Sequence, residues 1–297
     1  MSYVRIGDYW VQNDATIIGW LETLLGETSS GQVFDQANYQ NLPATQAAGG
    51  LGISFVTGTT ANDVIYGDVN QMATPNGGSD FIFLMAGDDI AYGQGGDDTI
   101  YGQDGNDTIF GSSGDDSLFG GAGDDYVVGG PGADYINGGA GNDFLTGGDG
   151  FDPNNPDEGD VIFGGLGNDS IYGKQGNDDL SGGAGDDLIN GSTGADVLNG
   201  GYGDDILNGG LDNDSLTGDI GFDTFLFTGL EFGDDVVYDF AKGFDLIVFA
   251  DTAAYSGDLR TTATASGTLV WFDDPAFTGT ILLEGITNFA ASDYMFI

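Results

Sequence analysis

The chain contains neither cysteine nor histidine. The first absence excludes disulfides and thiol nucleophiles, and the second removes the commonest general base and zinc ligand. No Ser-His-Asp or Cys-His arrangement can be assembled, and neither a Gly-x-Ser-x-Gly nor a His-Glu-x-x-His motif occurs. Positive charge is almost missing too. Arg5, Lys174, Lys242 and Arg260 stand against 48 acids, for a formal net charge of −44. Nucleic acid and anionic membrane surfaces would repel such a chain, so neither is expected as a partner. No run of 18 apolar residues exists, so no transmembrane segment is expected. Met1–Asp8 lacks a basic start followed by an apolar run, so no classical signal peptide is expected either.

What the chain has in excess is glycine and aspartate, with 56 Gly in 297 residues. They are arranged in a phrase nine residues long. Gly93-Gln94-Gly95-Gly96-Asp97-Asp98-Thr99-Ile100-Tyr101 is followed by Gly102-Gln103-Asp104-Gly105-Asn106-Asp107-Thr108-Ile109-Phe110, and the pattern recurs from Gly58 to Leu226. Position six is aspartate in all seventeen units: Asp63, Asp80, Asp89, Asp98, Asp107, Asp116, Asp125, Asp134, Asp143, Asp160, Asp169, Asp178, Asp187, Asp196, Asp205, Asp214 and Asp223. Position eight is aliphatic from Ile65 through Ile100 and Leu118 to Leu216, with Ala91 and Phe225 as exceptions. The first six positions suit a turn with several positive φ angles, and the last three suit a very short strand with its middle residue inward. Thirty-two of the 48 acids fall within this array. A carboxylate density that high cannot collapse unless cations neutralise it.

This repeat resembles the RTX calcium-binding nonapeptide family. The resemblance implies an all-β, right-handed parallel β-roll in which two nonapeptides make an 18-residue coil. It also implies that the position-six aspartates hold calcium between successive turns on one side, and all seventeen are carried over as metal ligands. The residue types agree with that assignment, because Ca²⁺ takes six to eight hard oxygen ligands, carboxylates and carbonyls mixed. The aliphatic column alone makes a thin core, and ordering so many glycines is costly. The metal-free chain is therefore expected to be largely disordered, with calcium binding supplying folding free energy. Turns with Ala61, Asp212, Ala133 and Ala195 in the fourth or fifth position depart from the consensus and are expected to bind more weakly.

Residues 1–57 read differently, as a cap or an assembly segment. Asp14 can N-cap a short helix with Ile17, Leu21, Leu24 and Leu25 on one face and Gly26 as its stop, and Ile53–Thr57 reads as a strand. Two units, Gly67–Phe83 and Gly147–Phe163, have 17 residues instead of nine. Each is either one repeat with an eight-residue loop or two repeats with one residue lost, and in the second Pro153-Asn154-Asn155-Pro156-Asp157-Glu158 puts turn formers in place of strand residues, which favours the loop. Residues 227–297 lose the period and read as a β-rich cap. Asp235–Phe240 and Gly243–Phe249 resemble the segment that closes RTX rolls, with further strands expected at Thr268–Phe272 and Thr280–Leu283. The last five residues, Asp293-Tyr294-Met295-Phe296-Ile297, resemble the family's C-terminal type I secretion signal, and they also suit a final strand.

Position nine points outward and changes along the chain. It reads Tyr66, Phe83, Tyr92, Tyr101, Phe110 and Phe119 early, then Ser181, Asn190, Asn199, Asn208 and Thr217 late. Aromatic ladders are thus expected on the N-terminal half, either as simple strand-stabilising stacks or as a surface covered by residues 1–57 or another subunit. No catalytic domain remains once the repeats are subtracted. The expected function is a secreted, calcium-folded structural or self-assembling protein at a bacterial surface, exported by type I machinery and not an enzyme. The alternatives are an adhesin or carbohydrate-binding module using the aromatic face, and a carboxylate-based polysaccharide-active enzyme.

Overall fold

In the computed structural model, residues 3–6, 9–12, 33–34, 55–58, 60–67, 77–148, 158–229, 231–250, 259–273 and 278–297 are described. The helix expected from Asp14 to Gly26 lies outside them. Apart from a two-stranded antiparallel pair, Tyr3–Ile6 with Tyr9–Gln12, the strands form two sheets of fourteen and eleven strands. Successive repeats alternate between the sheets, so Thr99–Asp104 pairs in parallel with Ser117–Ala122, and Thr108–Ser113 with Tyr126–Val128. The result is a parallel β-roll with an 18-residue coil, as the period requires.

The alternation settles the two long units. Val64–Tyr66 and Ile90–Gly95 share the eleven-stranded sheet, while Phe81–Ala86 between them joins the other. Likewise Phe144–Gly148 and Ser170–Gln175 share one sheet, with Val161–Leu166 in the opposite one. Each 17-residue unit is therefore a single repeat enlarged by eight residues, and the parity of every later strand is kept.

Most repeat strands run for six residues, where three were expected. Thr99–Asp104 covers positions seven to nine and the first three of the next unit. Position two lies at positive φ even where it is not glycine, as at Gln94 (81°) and Gln103 (79°). This bends the strand around the corner of the roll without ending its pairing, because position three of one coil still pairs with position three of the next. Position-eight side chains are fully buried from Ile82 to Leu207 and stack into a continuous core, as the aliphatic column demands.

The coil does not stop at Leu226. Glu231–Val237 and Thr278–Glu284 extend the larger sheet in parallel, and Leu246–Ala250 and Tyr294–Phe296 extend the smaller. Gly267–Phe272 and Leu259–Ala263 then close the larger sheet in antiparallel fashion. Here aromatic rings replace the aliphatic stack: Phe227, Phe232, Phe249 and Phe272 are buried together and plug the open end.

Among the described side chains, each sheet carries a ladder of five rings on its outer face. On the larger sheet it runs Phe83, Tyr101, Phe119, Tyr135, Phe163, and on the smaller Tyr92, Phe110, Tyr126, Phe144, Tyr172. Position nine alone does not produce these ladders. Where it turns to Val128, Asn137 and Thr146, an aromatic at position seven (Tyr126, Tyr135, Phe144) takes over on the same face. Neighbours at the same position stack flat, at 4.7–5.1 Å and 6–7°. Neighbours that switch position are tilted by 33–58°. The later half is less polar than position nine suggests, since Val197 and Ile206 at position seven are exposed.

Candidate metal centre

All seventeen position-six aspartates are buried, none more than 4% exposed. They form two rows, one along each edge of the roll where a turn enters a strand. From Asp89 to Asp223, each Oδ1 accepts a hydrogen bond from the backbone N–H of the position-six aspartate one coil earlier, Asp63 and Asp80 being the first donors of the two rows. Asp98 N–H thus donates to Asp116 Oδ1 at 2.7 Å, and Asp107 N–H to Asp125 Oδ1 at 2.7 Å. Across the enlarged repeats the partner is 26 residues away, as for Asp134 N–H and Asp160 Oδ1 at 2.8 Å. One oxygen of each carboxylate from Asp89 to Asp223 therefore ties coil to coil.

The second oxygen is the informative one. The Oδ2 atoms of Asp89, Asp107, Asp116, Asp125, Asp143, Asp169, Asp178, Asp187, Asp196, Asp205 and Asp214 are buried without a hydrogen-bond partner. An ionised oxygen left in that state is strongly disfavoured, so the site demands a cation or a proton. Burial pushes these carboxyls up, against the lowering effect of the N–H from the preceding coil; neighbouring aspartates add to the rise at most of them. Asp116, Asp125, Asp169 and Asp187 reach about 7, and Asp196 about 8.

What surrounds Oδ2 explains the glycine at position one. A Cβ on Gly102 would lie 2.4 Å from Asp107 Oδ2 and 2.2 Å from the carbonyl oxygen of Gly120 in the next coil. At Gly111 the corresponding values are 2.2 Å to Asp116 Oδ2 and 2.8 Å to Gly129 O. A carboxylate oxygen and a carbonyl oxygen thus converge over a bare Cα, and any side chain there would intrude. Hard, anionic and neutral oxygens repeated at coil spacing fit Ca²⁺. The position-six carboxylates and the turn carbonyls would hold it, and the ion would supply the positive charge that the two rows lack.

Position five has a role that its sequence pattern did not disclose. Its side chain makes a second ladder. Asp88 Oδ1 accepts the N–H of Asn106 at 3.0 Å, Asn106 Oδ1 that of Asp124 at 3.0 Å, and Asp124 Oδ1 that of Asn142 at 2.7 Å. This ladder accepts from the following coil, whereas position six accepts from the preceding one. Ala133 and Ala195 donate to Asp115 Oδ1 (3.0 Å) and Asn177 Oδ1 (2.8 Å), but have no side-chain oxygen to offer onward. Their own turns keep buried aspartates at position six, Asp134 and Asp196.

The rows also run past the repeats. Asp235 Oδ1 accepts the Asp214 N–H at 2.9 Å, and Asp245 Oδ1 accepts the Asp223 N–H at 3.1 Å. Both are buried, and burial pushes Asp235 up to about 8. Neither belongs to a glycine-rich turn, which is why the nonapeptide template passes over them. The surviving signal is an Asp two residues before an inward apolar residue, in Asp235-Val236-Val237 and Asp245-Leu246-Ile247.

No curated protein matches the chain. Among solved structures it is similar to the AlgE6R3 subunit of the Azotobacter vinelandii mannuronan C5-epimerase, at 26% identity over 46% of this chain and 77% of that one, with a TM-score of 0.29. It is also similar to the extracellular lipase LipA from Serratia marcescens, at 18% identity over 88% of this chain and 42% of that one, with a TM-score of 0.26. At such TM-scores neither likeness carries an argument, and the chain spans less than half of the lipase. The RTX calcium-binding nonapeptide repeat (in blocks of four copies) matches residues 48–69, 75–109, 101–136, 119–152, 157–189 and 190–225. These matches take in more than half of the chain and the coils that carry both aspartate rows. The chain belongs to the RTX calcium-binding nonapeptide repeat family, and its roll binds several calcium ions.

Proposed function

We propose that this is an exported, non-catalytic protein whose calcium-loaded roll builds a structural assembly outside the cell, joined laterally through its aromatic faces. The observation that carries the reading is the pair of aromatic ladders, one on the outer face of each sheet. Tyr126, Tyr135, Phe144 and Phe163 within them are each 36–42% exposed. One apolar strip on each of two opposed faces gives a protomer two lateral contacts, which is the requirement for a sheet or fibre. Stacking at 4.7–5.1 Å also covers the ring faces with one another. A sugar would find mostly ring edges there, which favours association between rolls over carbohydrate binding. Export by type I machinery fits the same picture, because a chain disordered at low calcium can thread a channel and fold beyond it.

Electron microscopy and light scattering of the purified protein with and without Ca²⁺ test this reading. Ordered sheets or filaments are expected only with calcium. Changing Tyr92, Tyr101 and Phe110 together to Ser should leave discrete monomers while keeping the calcium-induced β signal. Monomers from the unaltered protein, or unchanged assembly by the triple variant, would overturn it.

A further inference from the structure

We propose that Asp239 is a calcium ligand outside the repeats: its carboxylate takes the place of a position-one carbonyl and completes, with Asp223, the last ion site of its row. In the repeats the N–H at position two donates to the position-one carbonyl of the next coil, from Ser112 to Gly129 and from Gly130 to Gly147, each at 2.7 Å. That carbonyl is also the one that meets a position-six Oδ2 over a bare Cα. A Cβ on Gly129 would lie 2.5 Å from Gly147 O and 2.1 Å from Asp134 Oδ2. The oxygen that receives the position-two N–H is therefore a ligand oxygen of the site.

Along the edge that carries Asp187, Asp205 and Asp223, position one reads Gly182, Gly200 and Gly218. Each carbonyl faces the coil before it: a Cβ on Gly182 would lie 2.7 Å from Gly200 O, and one on Gly200 2.8 Å from Gly218 O. The repeats then end, and the strand Glu231–Val237 carries the sheet on. It sets Val236 opposite Ser215 and Val237 opposite Leu216, a register that brings Asp239 opposite Gly218. Here the position-two N–H, that of Asp219, donates to Asp239 Oδ2 at 2.7 Å, and the Gly218 N–H donates to Asp239 Oδ1 at 3.0 Å. A side-chain oxygen receives the bond that a backbone carbonyl receives in the repeats.

The other half of the site is as in the repeats. Asp223 is 1% exposed, and its Oδ1 accepts the Asp205 N–H at 3.1 Å. Its Oδ2 lies 2.4 Å from where a Cβ on Gly218 would stand and accepts no hydrogen bond from the described residues. Burial, and after it the charges of Asp245, Asp205 and Asp239, push Asp223 up to about 6 against the lowering effect of the Asp205 N–H. The row then closes. Asp245 Oδ2 accepts the Ala241 N–H at 2.6 Å, and the Asp245 N–H turns back to Ala241 O at 2.9 Å. Between Gly218 and Asp239 two anionic oxygens stand where the repeats offer one anionic and one neutral. Ligand charge tunes calcium affinity, so this place holds its ion more tightly than the turns before it.

Equilibrium dialysis of the full chain against free Ca²⁺, with far-ultraviolet circular dichroism on the same samples, tests the assignment. Asp239→Ala should bind one ion fewer than the parent at calcium levels that saturate the parent, with the β signal retained. Asp239→Asn exchanges the anionic oxygen for a neutral one, and one of its ions should need about tenfold more calcium. Glu284→Gln removes an equal charge from an exposed place in the same cap and should match the parent. Where Asp239→Ala fails to fold, the weakened ion of Asp239→Asn supports the proposal by itself. If Asp239 only ties down two N–H groups, Asp239→Ala becomes easier to denature yet binds the parent's number of ions. That full count, an Asp239→Asn curve superimposable on the parent's, or the same loss in Glu284→Gln overturns the proposal. The outcome is independent of whether rolls assemble laterally.

Discussion

Asp116 holds Asp98 with one oxygen and leaves the other unclaimed. Oδ1 accepts the Asp98 N–H at 2.7 Å, while Oδ2, buried beside Gly111, has no protein partner. The two oxygens have separate duties, coil stitching and metal binding, and they can be separated by mutation.

Asp116→Asn keeps an acceptor for the Asp98 N–H but removes the charge and replaces one oxygen with an NH₂ donor. Calcium at that turn should be lost while the stitch survives. Loss of a charge-assisted contact is expected to weaken calcium-induced folding by about 1–3 kcal/mol. A far-ultraviolet circular dichroism titration reads this as a higher calcium midpoint with an unchanged end-point spectrum. A midpoint equal to that of the parent would remove Asp116 from the ligand set.

Gly102→Ala probes the same kind of site from the other side. The added methyl would sit 2.4 Å from Asp107 Oδ2 and 2.2 Å from Gly120 O, so the oxygens must part. A cost of about 1–3 kcal/mol is expected, together with loss of calcium at that turn. Bound-ion counting at saturating calcium should show the deficit; a full complement of ions would show that the space is not the ion's.

Position five predicts a smaller, metal-independent effect. Asp115 Oδ1 accepts the Ala133 N–H at 3.0 Å on an exposed edge. Asp115→Ala should cost about 0.5–1.5 kcal/mol at saturating calcium, and Asp115→Asn almost nothing. Chemical denaturation of both variants decides the matter, since equal losses would assign the effect to charge and not to the hydrogen bond.

The pH response follows from the raised carboxyls. Desolvation lifts Asp116 from 3.8 to about 7 and Asp196 from 3.8 to about 8 in the metal-free roll. A raised folded-state value means that the folded coil binds protons the unfolded chain has released. The stabilising contribution is fully present below pH 3.8 and disappears as pH rises through 7 to 8. Calcium-free protein should therefore gain β signal on acidification from pH 8 to 4, and the calcium midpoint should rise over the same interval as protons compete for Oδ2. A metal-free spectrum that stays flat across that range would contradict this account.

The parts of this molecule that were legible in the sequence are those written once per unit. The Asp63–Asp223 column named the metal and the row, and the Ile65–Leu216 column named the inward face. What stayed hidden depends on partners a whole coil away. Asn106 and Asp124 join across 18 residues through a backbone N–H, which leaves no mark on either residue's neighbours. Tyr135 continues the ladder of Phe119 only because positions seven and nine share one face, so a reading of position nine alone loses the ladder at Asn137. Asp235 and Asp245 keep the row after the glycine turns have gone, where the template has nothing left to match. At Gly147–Phe163 the turn formers Pro153–Glu158 already favoured a loop over two shortened repeats, whereas at Gly67–Phe83 the choice needed the strand partners themselves.

The strict alternation between the two sheets has a consequence for how such a chain can be edited. Deleting or duplicating 18 residues removes or adds one complete coil and leaves every downstream side chain on its original face. Deleting nine would transfer everything after it to the opposite sheet, and the ladders of Phe83 and Tyr92 would each meet the other's continuation. The two enlarged repeats obey the same parity, since their eight extra residues shift no strand from its sheet. Viable length variants of this roll should differ by even numbers of repeats, or by turn insertions of any size.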